Sequence, residues 1–530
     1  MKKPFKIELP KIKQQNTVYK KVLQKDESIL KQYEWTADIE KNEAVLRNIF
    51  EGCSDIMFRS IKIFGELKGV VIYADGLTDI KLLDNVILKL LMREKLPESE
   101  LLNDISQVIK DEIVAVGQVN IITSINEVVK GILSGNTAIL TDGDAKVLTV
   151  DIKGFEKRSI SEPNTEVVVR GPRDGFTEDI FTNISMVRRR LRSPKLKTES
   201  FTLGEVSQTN VKIAYMKGIA RDEVVKEVRT RLEKIKIDGI FESGYIEEFI
   251  EDEPYTLFPL IQNTERPDVV AANLLEGKIA IFTDNTPFVL IVPLIFWGQV
   301  HSNEDYYDRF TMGTFLRWIR MIYMFIALLG PSLYVAVTTF HQQMIPPKLL
   351  MSIIDNREPT PFPAVVEALL MEITFEALRE AGIRLPKPIG QAVSIVGALV
   401  IGQAAVEAGL ISAPMVIVVS ITGIASFTIP HYGFSFAIRV LRFPMIFLAG
   451  SLGLYGVTLG VLGIFIHLVN LRSFGVPYFS PIAPLNIKRL KDVFVRAPIW
   501  SMHIRPGLTT DNNLRIPTGQ KPRPKAGGKK

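Results

Sequence analysis

The sequence has a single cysteine, Cys53, among its 530 residues. One thiol cannot form a disulfide within the chain, and such scarcity is typical of a reducing compartment. Histidine is nearly as scarce, and the five residues lack the spacing of metal ligands: His301, His341, His431, His467 and His503. A phosphate-binding loop is also missing, because GELKGVVI has no second half of a Walker motif. We therefore expect no enzyme activity, no metal and no cofactor.

Charged residues are frequent up to Arg320 and absent from four long segments after it. The segments are 321–340, 389–406, 410–429 and 443–471, and roughly 20 apolar residues are enough to cross a bilayer. A mean hydropathy of +0.17 beside 23% charged residues fits this segregation. The sequence predicts a membrane protein with about four spans that contacts membrane lipid.

Basic residues flank the first and last spans: Arg317, Arg320, Arg472, Lys488, Arg489 and Lys491. Because cytoplasmic flanks are enriched in Lys and Arg, an even number of spans places both chain ends in the cytoplasm. That topology leaves Arg439 and Arg442 on the opposite side. Segment 286–300 is apolar but short and contains two prolines, so we predict a strand followed by an interfacial or re-entrant piece.

Residues 364–381 predict an amphipathic helix, lying along the membrane surface or against the spans. Its polar face carries Glu372, Glu376, Arg379 and Glu380. Glu367 falls on the apolar face, where a carboxylate needs an ion pair, a shifted pKa or water. Pairing, for example with Arg384, is one interpretation, and a role in an ion path is the other.

Small residues recur along the second and fourth spans: Gly390, Ser394, Ala398 and Gly402, then Gly450, Gly453, Gly456, Gly460 and Gly463. Such stripes let neighbouring helices approach closely, within one chain or in a ring of identical subunits.

The first half contains an internal repeat with a constant offset of 142 residues. Gly76 matches Gly218, and Thr141-Asp142 matches Thr283-Asp284. A gapless offset over this length indicates two copies of one subdomain. We predict a fold of duplicated α/β cytoplasmic subdomains followed by an all-α membrane domain.

The predicted boundaries follow from the repeat and the spans. A basic N-terminal tail, partly disordered, occupies 1–45, and the two α/β subdomains occupy 46–160 and 196–300 with a basic connector at 161–195. The membrane domain occupies 301–475 and a basic cytoplasmic tail 476–530. We expect the basic tails to lie near the inner leaflet rather than to bind nucleic acid, because no aromatic platform or recognition motif accompanies the charge.

Several long strings resemble the A subunit of the GerA family of spore-germination receptors: RGPRDGFTEDIFTNISMVRRRLR (170–192), IDGIFESGYIEEFIED (237–252), TERPDVVAANLLEGKIAIFTDNTPFVLIVP (264–293), EDYYDRF (304–310), FEALREAGIRLP (375–386) and IGQAVSIVGALVIGQAAVEAG (389–409). The resemblance implies a multi-pass protein of the endospore inner membrane, with its N-terminal half on the cytoplasmic side. It also implies a transporter-like B subunit that holds the nutrient pocket, a lipoprotein C subunit, and a ring of A subunits that conducts ions when nutrient binds.

Two alternatives stay open. The chain could be an accessory GerA-family paralogue of the stage V sporulation type, or a secondary transporter. The second is less favoured, because transporters commonly duplicate the span-bearing unit and here only the soluble half is duplicated.

An ion path needs polar groups on a slim helix, and 389–406 best meets this need. Its pore or gate candidates are Gln391, Ser394, Gly397 and Gln403, with Glu407 at the mouth. Glu367 could add a ring of carboxylates that favours cations.

Overall fold

A computed structural model describes residues 33–65, 67–92, 106–107, 110, 118–154, 162–163, 165–385 and 402–503, with Arg505, Thr510 and Arg515. Gln391, Ser394 and Gly397 lie outside these residues, as do most of the predicted span 389–406, the first 32 residues and those after Arg515.

The first α/β unit is a sheet covered by helices on both faces. Its strands are β1 Ile56–Ile63, β2 Leu67–Ala74, β3 Val119–Ile122, β4 Thr137–Thr141 and β5 Val147–Val150, and its helices are α1 Ile39–Ile49, α2 (80–91, π-helical over Leu83–Leu88) and α3 Ile125–Leu133. All pairings are antiparallel, in the order β1-β2-β4-β5-β3. Side chains alternate across a strand, so Val70 and Ile72 of β2 pack beneath α1 and α3, while Val71 and Tyr73 face α2.

The second unit repeats this arrangement. Its strands are β6 Leu196–Leu203, β7 Thr209–Met216, β8 Gln262–Thr264, β9 Ile279–Thr283 and β10 Val289–Val292, and its helices are α4 Ile180–Arg190, α5 Asp222–Glu233, α6 Ser243–Ile250 and α7 Pro267–Leu275. The strand order β6-β7-β9-β10-β8 is that of the first unit. Gly76 and Gly218 have φ of 74° and 79° in the turns after β2 and β7. The two units therefore share one strand order and one turn geometry, as the 142-residue offset predicts.

The two units also correspond in the helix that precedes their strands, α1 in the first and α4 in the second. The Asp142 carboxylate accepts from the backbone N–H of Ile39 at 3.4 Å, and Asp284 accepts from that of Ile180 at 3.3 Å. Both aspartates therefore satisfy a free donor at a helix N-terminus. Helix α4, within the segment predicted as a connector, packs on the second sheet. Helix α1, which begins within the predicted tail, packs on the first.

The rest of the described chain is mainly helical. It contains α8 Phe296–Val300, α9 Glu304–Tyr307, α10 Phe310–Phe340, α11 Pro347–Arg357, α12 Ala364–Arg384, α13 Ala413–Phe427 and α14 Tyr432–Asn470, then the short strands β11 Arg472–Ser473 and β12 Val476–Pro477. Two of these helices, α10 and α14, are long and apolar enough to cross a membrane. Four spans are not confirmed: 410–429 corresponds to α13, which has only 15 residues.

Helix α14 is not straight, which corrects the prediction of one span at 443–471. Gly453 has φ 60° and ψ −143°, outside the helical region. The ring of Phe258 lies 6.1 Å from that of Phe434 and 6.1 Å from that of His467, although a straight helix would separate these two residues by about 50 Å. The chain therefore turns at Gly453 and returns as an antiparallel helical hairpin.

Glycines make this hairpin tight. A Cβ on Gly456 would lie 2.1 Å from the carbonyl oxygen of Leu448, and one on Gly460 would lie 2.4 Å from Sδ of Met445. Gly456 and Gly460 therefore allow the two halves of α14 to pack closely. Gly450, from the same stripe, packs against Val365 of α12.

Segment 286–300 contains β10, so the predicted strand is confirmed. The apolar residues after it are enclosed by protein, since Phe296 and Trp297 are buried and pack against Phe434 and Phe479.

The basic residues at the start of α10 are engaged with acids. Arg317 and Asp305 are fully buried and paired at 3.1 Å, Arg317 also pairs with Asp492 at 3.0 Å, and Arg320 pairs with Asp305. Burial alone would raise the pKa of Asp305, but these arginines hold it below its usual range. The charges of Arg317 and Arg320, two of the six used to predict topology, are therefore neutralised locally.

Candidate functional site

Helix α12 turns most of its predicted polar face inward, with Glu380 exposed. It packs against α10, α13 and α14, the second of the two predicted placements. Glu372 is 1% exposed, whereas its neighbour Ile373 is 57% exposed. A buried polar face with an apolar outer face is the arrangement expected where the surroundings are lipid.

Arginines of α14 meet this face. Arg442 donates to the Glu372 carboxylate and, at 2.7 Å, to the backbone carbonyl of Ala327 in α10. One helical turn away, Arg439 donates to Glu376 at 2.5 Å. Both Arg439 and Arg442, which the predicted topology leaves on the side opposite the chain ends, are buried among these helices.

Arg379 extends the cluster toward α13. It donates to the hydroxyl of Ser426 at 2.8 Å and lies 4.6 Å from the ring centre of Phe427. We call Glu372, Glu376, Arg379, Arg439 and Arg442 the charged cluster. It joins four helices and has three positive against two negative charges.

Hydrogen bonding within the charged cluster is incomplete. Each member has one buried polar atom that makes no hydrogen bond to a described residue: Glu372 Oε1, Glu376 Oε1, Arg379 Nε, Arg439 Nε and Arg442 Nη2. Glu376 Oε1 lies 3.8 Å from Nη1 of Arg379, an ion-pair distance. Unpaired polar atoms in an apolar setting are costly, so these groups can accept or donate to water, an ion or a neighbouring chain.

Glu367 is fully buried at the other end of α12. Its carboxylate accepts from the backbone N–H and hydroxyl of Ser412 at 2.9 and 2.7 Å, and its Oε1 lies 3.5 Å from Nε of Arg357. The suggested partner, Arg384, instead pairs with Glu380. Pairing of Glu367 is therefore found, with a different arginine.

Two further predicted residues lie together, apart from Glu367. Gln403 donates to Glu407 at 2.9 Å, and both are exposed. They line a cavity of about 970 Å³ between α12, residues 402–407 and α13, and Arg379 of the charged cluster lines it too. Two of the predicted pore residues, Gln403 and Glu407, therefore line the same cavity as Arg379 of the charged cluster.

The sequence contained a signal for the charged cluster. The polar face of 364–381 and the two arginines three residues apart in an apolar helix were both visible, but neither identified the other as its partner.

Among the residues that the structure describes, no group of three or more His, Cys, Asp or Glu could hold a metal ion.

Comparison with known proteins identifies the family. The family model described as Bacillus/Clostridium GerA spore germination protein matches residues 44–508, across both halves. The chain belongs to the GerA family. Its charged cluster and helical hairpin are therefore features of a GerA-family helical half.

Relatives cover most of this GerA-family chain. Spore germination protein KA of Bacillus subtilis (strain 168) is 47% identical over 92% of the chain and 89% of its own length. Spore germination protein B1 of the same strain is 39% identical over 90% and 99%. The uncharacterized membrane protein YfkQ, also from that strain, is 48% identical over 90% and 92%.

A solved structure is also similar. The crystal structure of the N-terminal domain of the A subunit of the Bacillus megaterium spore germinant receptor GerK3 is 37% identical, with a TM-score of 0.40. It covers 50% of this chain and 98% of that domain.

Proposed function

We propose that this chain is the A subunit of a nutrient germinant receptor in the inner membrane of the endospore. The observation that carries the proposal is the family match over 44–508, which spans the α/β units and the helical half together. By analogy with the named relatives, it acts with a transporter-like B subunit and a lipoprotein C subunit, and its α/β units lie on the cytoplasmic side.

The proposed activity is ion conduction by a homo-oligomer, which triggers germination. Ionisable groups inside membrane helices usually mark ion pathways or their gates. Each chain would supply the charged cluster, Glu367, Gln403 and Glu407, together with Gln391, Ser394 and Gly397 from the neighbouring segment. The incomplete hydrogen bonding of the cluster supports the proposal, because it leaves groups that could change partner when the receptor opens.

Spores provide the direct test. Chains carrying Ser394→Leu or Gly397→Leu should assemble with the B and C subunits but release little potassium or dipicolinate after nutrient is added. Glu367→Gln should assemble and alter the cation selectivity or the gating. Gly463→Leu is the matched control, because a Cβ at Gly463 meets no atom within 4 Å.

The outcomes separate the candidates. If the Leu variants at 394 and 397 fail to assemble, and Glu367→Gln releases ions like the parent, segment 389–406 has a structural role and the conduction proposal fails. If the chain supports germination without co-purifying with a B subunit, the accessory paralogue replaces the receptor subunit.

A further inference from the structure

A cavity of about 370 Å³ lies where the second α/β unit meets the helical half. Four parts of the chain contribute to its lining: β8 with α7 and the turn after it, α8 and α9, the residue before α14, and the segment after α14. Ligand pockets commonly occupy such junctions and range from roughly 300 to 1,000 Å³. This cavity is separate from the charged cluster.

Lys278 is the unusual residue of the lining. The residue is 7% exposed, yet its ammonium group forms no hydrogen bond and no ion pair with any residue that the structure describes. Burial lowers the pKa of Lys278, although nearby Glu276 acts in the opposite direction. Glu276 is thus the nearby negative charge, but a buried lysine that makes no hydrogen bond or close ion pair is costly, so Lys278 can receive an anion from the cavity.

The other charges of the lining are already engaged. Asp268 accepts from Arg266 at 2.9 Å and from the hydroxyl of Tyr307. Asp492 accepts from the hydroxyl of Tyr306 at 2.7 Å and pairs with Arg317. Glu276 lies 3.8 Å from Arg515. Lys278 is thus the group available for an anion.

The remaining lining is largely apolar and aromatic, including Ile295, Trp297, Val493 and Met502. We propose that the cavity binds a small carboxylate with an apolar body, whose carboxylate pairs with Lys278 and whose body packs against Trp297. A bound ligand would contact both halves of the molecule and stabilise their junction.

Calorimetric titration of the purified full chain in detergent at pH 7 tests the proposal, with benzoate, acetate and inorganic phosphate as separate probes. Benzoate should bind saturably and more tightly than acetate, because only benzoate has a body that fills the apolar part. Lys278→Met should weaken benzoate binding about tenfold or more, as expected for loss of a charged hydrogen bond. Lys278→Arg should retain most of it.

Lys212→Met is the matched control. Lys212 is also a buried lysine of the second unit, but it lies 4.2 Å from the ring of Phe181 and does not line the cavity. Its replacement should leave benzoate affinity unchanged. Absence of saturable benzoate binding to the parent chain overturns the proposal, as does equal binding by a folded Lys278→Met chain. Binding of phosphate without benzoate indicates an inorganic-anion site and also overturns it. If Lys278→Met does not fold, the parent's titrations and the Lys278→Arg chain decide.

Discussion

Asp55 and Arg188 join the two α/β units through a pair of 2.7 Å hydrogen bonds, and their side chains are 4% and 1% exposed. Thr198 donates a further hydrogen bond to Asp55 at 2.7 Å. An enclosed pair of this kind adds little stability relative to apolar residues, yet removal of one partner leaves an uncompensated charge. The junction between the units therefore depends on both residues.

Arg188→Met should lower the free energy of unfolding by about 3–5 kcal/mol, because Asp55 stays buried without its partner. Arg47 is the matched control: it occupies the equivalent position of α1, is 54% exposed and pairs with Glu43. Arg47→Met should cost about 1 kcal/mol or less. Denaturant unfolding of the full chain, followed by circular dichroism, measures both. Equal effects would show that the Asp55–Arg188 pair has no special part in joining the units.

The Asp55–Arg188 pair also predicts that the folded state loses stability in acid. Burial alone would raise the pKa of Asp55, but Arg188 and Thr198 lower it below its usual value. The folded state therefore binds fewer protons than the unfolded state near that value, so stability falls with falling pH. The stability that ionised Asp55 contributes is complete above the pKa of an aspartate in the unfolded chain, about 3.9. It is lost as the pH falls through the lower pKa of Asp55 in the folded state. Melting temperatures measured from pH 6 to 2 should fall less steeply for Asp55→Asn than for the parent, and parallel curves would contradict this assignment.

At the scale of elements, the tight hairpin of α14 depends on glycine at specific positions. Gly456→Ala should destabilise the helical half by about 1–3 kcal/mol, because the new Cβ would overlap the carbonyl of Leu448. Gly463→Ala provides the comparison, since its Cβ would meet nothing within 4 Å. Thermal unfolding in detergent measures the difference. If both variants melt alike, the two halves of α14 are not in the contact described.

The elements differ in how far the sequence could predict them. The repeat was predictable because a constant offset relates two complete sets of strands and turns. The hairpin was not, because a stripe of small residues suits a straight helix packed on a neighbour equally well, and only the backbone at Gly453 distinguishes the two. The inward face of α12 was visible as a polar face, but its arginine partners lie more than 60 residues away in sequence.

At the scale of the whole molecule, the two halves are joined by contacts between distant segments. The hydroxyl of Ser473, just after α14, donates to the carbonyl of Leu260 at 2.7 Å and accepts from the backbone N–H of Leu294 at 3.0 Å. Both segments flank the core of the second α/β unit. The end of the hairpin is thereby attached to the unit that precedes α10, which sequence periodicity could not have indicated.

The hairpin determines where the two ends of α14 lie relative to a membrane. Tyr432 and Val469 are exposed near the ends, and Leu452 is exposed beside the turn. The turn itself meets the end of α10, since a Cβ on Gly453 would lie 3.0 Å from Cβ of Phe340. Helix α10 is itself long enough to cross a bilayer, so the turn and the start of α10 are expected on opposite sides.

Single cysteines test this arrangement in a chain whose buried Cys53 is replaced by serine. Cysteines at positions 432 and 469 should react with an impermeant thiol reagent from the same side as cysteines at Lys3 and Gly527, and a cysteine at 452 should react from the opposite side. A single straight span would instead place 432 and 469 on opposite sides. If positions 3 and 527 are themselves labelled from opposite sides, the number of crossings is odd, and 286–300 becomes the first segment to re-examine. The hairpin returns the chain to the side on which α14 began, so the whole molecule can keep both ends with the α/β units.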